Sequence, residues 1–239
     1  MFVLLVVVLP VLLLGYMLKD SGLKVTILEA SQIGLGVSAN TTAKITSQHG
    51  LIYDYLINSY GFDTAKKYLD SNEKAIKTIE SIIKKENIDC DFQVQNAYIY
   101  TCNSEYVQKI KDETDAVKTL GLNATLVTET SLSFIIKTAI CFPNQAQFHP
   151  RKYILGLLSC LNNENIFENS KVTNIKRKNG LYNIFVNNHI ITCKYLVLTT
   201  HYPIKNFPGM YFLKMYQDKS YVVAVDTNSN SFERYVFVC

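Results

Sequence analysis

The stretch from residue 3 to residue 29 constrains the fold more than any other part of this chain. A Val and Leu run over 3–9 predicts a strand. An apolar helical stretch follows and stops near Ser21-Gly22, glycine being the residue that most readily ends a helix. Lys24-Val-Thr-Ile-Leu-Glu29 then reads as a short buried strand closing on an acid. Strand, helix and strand within about 30 residues make the βαβ unit of an open parallel sheet.

Beyond it, 30–44 is a loop rich in Gly, Ser, Asn and Thr, and helical spacing occupies 50–60 and 63–86. Alternation over 91–101 predicts a strand, 104–120 an amphipathic helix stopped by Gly121, and 122–128 another short strand. Residues 138–148 read as extended, and Pro150 opens a helix to about Leu161, since proline suits a first helical turn. Strands over 171–177, 181–186 and 189–193, with turns at Asn179-Gly180 and Asn187-Asn188, form a β-meander. The apolar run Tyr195–Thr199 predicts a strand buried on both faces, and 220–233 enters a further strand. The fold class is α/β, with a second domain inserted discontinuously into the first.

Composition narrows the function. A net charge of +4, with 21 Lys and 3 Arg scattered singly, gives no nucleic-acid surface. Six cysteines without a C-x-x-C pair suit reduced thiols in a cytoplasmic protein rather than a disulfide framework, and neither they nor the four scattered histidines suggest a metal. Residues 1–18 carry no charge, which raises a signal or membrane anchor. Against it, no basic residue precedes the run, no small-residue cleavage site follows, and Pro10 sits in its middle.

Glu29 is the first candidate for chemistry. An acid ending the second strand of such a unit can accept two ribose hydroxyls of a dinucleotide at once. A solvated acid at a strand end would look the same, and this residue alone does not separate the two. Three segments carry more: TILEASQIGLGVSANTTAKITSQHGLIYDYL, NQAQFHPRKYI and YLVLTTHYP. Together they resemble the FAD-dependent oxidoreductases of the D-amino-acid oxidase and glycine oxidase superfamily, in particular a bacterial branch of which some members carry a Rieske iron–sulfur domain. The similarity runs from about Gly15 to about Phe232.

The resemblance implies a Rossmann-like FAD-binding domain over 1–88 and 142–205, with an α+β substrate domain over 89–141 and 206–239. It implies FAD as cofactor and a small amine or amino acid as substrate, with a Rieske-type protein as a candidate electron partner. Glu29 and Ala30 would meet the adenosine ribose. Ser38, Thr41, Thr42, Ala43 and Lys44 would line the loop running along the pyrophosphate toward the flavin. Short hydroxyl side chains and exposed N–H groups are what a buried diphosphate needs. Val172 would begin the strand whose backbone meets the adenine edge, and Thr200 would close the strand that turns past the pyrophosphate. Thr200-His201 departs from the small residue and glycine usual there. The flavin performs the hydride removal in such enzymes, so no catalytic side chain is named.

One feature of the family pattern is missing. Its G-x-G-x-x-G would fall across Val6, Val7, Val8, Leu9, Pro10 and Val11. Glycine is needed there because the backbone turns tightly and approaches the pyrophosphate. Residues 1–18 hold twelve Val or Leu and no Ile, Lys or Asn, whereas the rest of the chain holds 22 Ile. Valine codons are GTN and glycine codons GGN, so a run of GGT read one base out of register becomes GTG. The expectation is a frame-shifted glycine loop over Met1 to about Leu14, in a chain truncated at its C-terminus with an incomplete substrate sheet. Two other readings stay open: a non-catalytic remnant with little or no nucleotide binding, and a protein anchored in a membrane through 1–18.

Overall fold

The computed structural model describes residues 2–5, 8–161, 165–200, 202–216, 218 and 236–238. The strand expected over 220–233, His201, and two positions of the expected glycine turn (Val6 and Val7) lie outside them. The chain forms two compact units. Unit 1 takes the residues up to Thr42, Ile88–Cys90, and the described chain from Pro150 to Asp218. Unit 2 takes Ala43–Asn87, Asp91–His149 and the described strand at 236–238. These groupings rest on packing, and they place 43–87 with the sheet of 93–147 rather than with the first βαβ unit.

Unit 1 is built on a parallel sheet. Its strands are β1 (Phe2–Leu5), β2 (Val25–Leu28), β7 (Ile166–Phe167) and β11 (Tyr195–Leu198), in the order β11-β1-β2-β7. Phe2 is in register with both Tyr195 and Val25, and Leu5 with both Leu198 and Leu28, so three carboxyl ends are level. Helix α1 (Val8–Leu18) supplies the crossover from β1 to β2 and buries Val11, Leu12 and Tyr16. Pro10 is accommodated because it lies in the first turn, where N–H groups have no intrahelical acceptor. Helix α5 (Pro150–Ser159) starts at the expected proline and buries Tyr153, Ile154 and Leu157. A Cβ placed on Gly156 would stand 2.3 Å from Ile88 Cγ2, so α5 approaches 88–90 to a distance only glycine allows.

The meander is present as β8 (Val172–Lys178), β9 (Leu181–Val186) and β10 (His189–Cys193). Its turns use positive φ at both central residues, 51° and 78° at Asn179-Gly180 and 41° and 62° at Asn187-Asn188. One strand reading is corrected. β11 is not buried on both faces: among the described residues it is the sheet's edge, with Tyr195 48% and Leu198 43% exposed.

Unit 2 holds a mixed sheet of β3 (Lys44–Ile45), β4 (Gln93–Thr101), β6 (Thr138–Gln147) and β12 (Val236–Val238), in the order β12-β4-β6-β3, with β5 (Thr125–Val127) also on β6. Three helices serve it: α2 (Tyr53–Tyr60), α3 (Phe62–Glu86) and α4 (Val107–Thr119). Tyr53, Leu69, Ile99, Ile110, Leu120 and Phe142 form its core. The first turn of α2 has no cap of its own, because Ile52 stands at the N-cap. Glu113, fully buried on α4, caps it instead, its carboxylate accepting the N–H groups of Ile52, Tyr53 and Asp54 at 2.9 Å each. Burial pushes its carboxyl pKa up and those three hydrogen bonds pull it back. Glu113→Ala strands three donors in the core, and is expected to lower stability by roughly 2–4 kcal/mol in urea unfolding.

Candidate functional site

The strand order sets the location. β1 leads to β2 on one side and has β11 on the other, so the crevice outside the carboxyl end of β1 is the switch point of the sheet. Glu29 follows β2 directly and is 9% exposed. Its N–H donates to Phe167 O at 2.9 Å, and its carbonyl accepts Ser170 N–H at 2.7 Å. Its carboxylate Oε1 accepts the N–H of Ser31 at 2.8 Å. A carboxylate offers about four lone-pair positions, so this bond fixes Glu29 without exhausting it. Val172 lies in one apolar cluster with Leu28, which brings the start of β8 against the end of β2.

Thr200 follows β11, and its hydroxyl donates to Tyr202 O at 2.9 Å. It lines a cavity of about 370 Å³ with Leu198, Tyr202, Lys205, Tyr211 and Met215. Glu29 and Thr200 thus lie beyond level strand ends two strands apart, about 10 Å at ordinary sheet spacing. The remaining expected residues are spread along one loop. Ala30 is exposed, Ser38 is half-buried in a 3-10 turn (Val37–Ala39), and Thr41 and Thr42 are exposed. Ala43 takes a left-handed φ of 65° where the chain passes into unit 2, and Lys44 opens β3 there.

Sequence reasoning missed Glu168, whose Oε1 accepts Ile33 N–H at 2.6 Å and so holds the loop after Glu29. A two-residue strand such as β7 leaves no periodicity to read. It also missed the cavity wall of Tyr202, Lys205 and Tyr211, although Tyr202 lies within the YLVLTTHYP segment and Lys205 stands two residues beyond it.

Does this site suit a flavin dinucleotide? Glu29 suits the ribose, and the Thr200 cavity adds hydroxyls and an ammonium suited to an anion. The β1–α1 crossover does not suit the diphosphate. No glycine occurs before Gly15, and Pro10 removes one donor from the helix terminus that would face the phosphates. The adenosine side fits, and the glycine-turn side does not.

Unit 2 carries a polar cluster of its own just past Lys44. Ser47, fully buried, donates from its N–H to Gln145 Oε1 at 2.6 Å, and its carbonyl accepts the hydroxyl of Tyr53. Gln145 Nε2 donates to Glu73 Oε1 and to Pro143 O, both at 3.1 Å. Gln48 is 5% exposed, and neither its Oε1 nor its Nε2 has a partner. His49 Nδ1 lies 2.8 Å from Tyr68 Oη. Burial, and then the Lys44 charge, hold its imidazole pKa below the usual 6.5. The unfolded chain therefore takes up a proton more readily than the folded one, and stability drains away as pH falls below about 6.5. His49→Asn is expected to flatten the loss of thermal midpoint between about pH 7 and pH 5.

The sequence profile described as FAD dependent oxidoreductase (DAO) matches residues 12–238. The chain is 35% identical over 213 residues to the putative Rieske 2Fe-2S iron-sulfur protein YhfW of Bacillus subtilis, covering 88% of this chain and 42% of that protein. It is 27% identical over 199 residues to the probable oxidoreductase OrdL of Haemophilus influenzae, covering 80% of this chain and 46% of that one. Among solved structures it resembles glycine oxidase from Geobacillus kaustophilus, with a TM-score of 0.68, 13% identity, and 83% and 54% of the two chains covered. The chain spans less than half the length of these two curated relatives. With the profile matched over nearly its whole length and the parallel sheet in place, the chain belongs to the DAO family of FAD-dependent oxidoreductases.

Proposed function

We propose that the chain derives from an oxidoreductase that oxidises a C–N bond of an amine or amino acid, and that it supplies most of the cofactor-binding domain with part of the substrate domain. The observation carrying this reading is Glu29, buried at the carboxyl end of β2 beside the switch point of the sheet. The name of the glycine oxidase neighbour supports a C–N substrate, and that of YhfW supports an iron–sulfur protein as electron partner. When bound, FAD would supply the hydride acceptor.

The chain's own residues would orient that group. Glu29, with Ala30 beside it, would accept the ribose hydroxyls. Ser38, Thr41, Thr42, Ala43 and Lys44 would follow the diphosphate, Val172 would offer its backbone to the adenine, and Thr200 would close the far side. On this reading the domains follow the cofactor, 1–88 and 142–205 against 89–141 and 206–239, rather than the packing units. The scattered cysteines favour a reducing, cytoplasmic location.

A second reading, a remnant that binds nucleotide weakly, is favoured by the absence of glycine before Gly15. The anchored reading has less support, because no described helix is long and apolar enough to cross a membrane, and α1 spans only about 16 Å.

The discriminating measurement is FAD titration followed by flavin fluorescence. The chain as written is expected to bind FAD about 100-fold more weakly than a variant carrying Val6→Gly, Val8→Gly and Val11→Gly. Adding Glu29→Ala to that variant is expected to lose at least about tenfold again. Equal, negligible binding by all three proteins would favour the remnant.

A further inference from the structure

We propose that Gln48 is the recognition residue of a ligand site within unit 2, for a molecule presenting an N–H and a C=O side by side, as a cyclic imide or a primary amide does. Among the described residues of unit 2, its two amide atoms are the buried side-chain N and O atoms that lack a partner. Buried polar groups nearby are served: Gln145 by four hydrogen bonds, Glu113 by three, and Thr114 by the carbonyl of Ile110.

The backbone that carries the amide is held in place. Ser47 is pinned through its N–H by Gln145 and through its carbonyl by Tyr53, and the Gln48 carbonyl accepts the Thr46 hydroxyl at 3.0 Å. Gln145 is itself braced by Glu73 and Pro143. A fixed backbone carrying an unsatisfied donor and acceptor on one small group is the form a preorganised binding residue takes. A glutamine that merely filled space would be improved by an apolar side chain of the same length.

A glutamine amide pairs edge to edge with a partner offering the reverse order of donor and acceptor, through two parallel hydrogen bonds. Two sources carry that edge: the imide of a flavin ring, and the amide of a substrate. Gln48 lies four residues past Lys44, and the preference for the flavin ring rests on the cofactor reading above.

The test titrates the full chain with lumiflavin, which has the imide edge without the diphosphate, so that the glycine-free turn does not enter. Propionamide is the second probe, followed by thermal shift. Gln48→Met is expected to raise the thermal midpoint of the ligand-free chain by about 3 °C while weakening lumiflavin binding at least about tenfold. Propionamide binding that depends on Gln48, without lumiflavin binding, supports the site and assigns it to substrate. Lumiflavin binding together with failure of FAD binding in the glycine-restored variant leaves the site standing and removes the cofactor reading. Unchanged binding in Gln48→Met, an unchanged or lower midpoint, or no response of the natural chain to either probe overturns the proposal. If Gln48→Met does not fold, the side-chain NH2 signals of the 15N-glutamine-labelled natural chain, assigned with Gln48→Asn, must move on titration, and a stationary Gln48 pair overturns it.

Discussion

The level carboxyl ends of β11, β1 and β2 are the constraint on which the rest of unit 1 depends. A parallel strand pair requires a crossover, and α1 supplies one in a single short helix. Placing β11 on the far side of β1 then opens the only kind of crevice an open sheet offers. Glu29, Thr200 and the cavity wall of Tyr202, Lys205 and Tyr211 acquire their positions from that arrangement. The loop after Glu29 is held by main-chain and carboxylate bonds from the short β7 region, so the acid is fixed before any ligand arrives.

Unit 2 rests on a different kind of constraint, the satisfaction of polar groups in a core. Glu113 and Gln145 lie far along the chain from the loop at 46–54 that they hold. Each gives its lone pairs to backbone N–H groups that would otherwise be stranded. The loop after Lys44 is therefore rigid for reasons distributed over α3, α4 and β6.

Much of this was legible in the sequence. The βαβ unit, the meander with its Asn turns, the long α3 stripe and the proline-led α5 all declare themselves through periodicity or backbone preference. Glu29 could be marked because its place at a strand end is local information. What stayed hidden depends on distant partners. Glu168 acts from a strand too short to show a pattern, and Gln48 becomes conspicuous only when its burial is known. β11 was misjudged because an apolar run suggests burial but does not say which neighbours the strand finally has. The left-handed φ of Ala43 gave no signal, since alanine carries no marker for that conformation.

The register of β1 has a consequence for how such a chain is made. Phe2 is aligned with Tyr195, so the second neighbour of the first strand is nearly the whole chain away. During synthesis from the N-terminus, β1 can join β2 early, but its other edge stays open until residue 195 has emerged. Closing so long a loop is slow, and an open apolar edge invites pairing between nascent chains. Yield from a cell should therefore depend on chaperone supply and growth temperature more than on the thermodynamic stability of the finished fold.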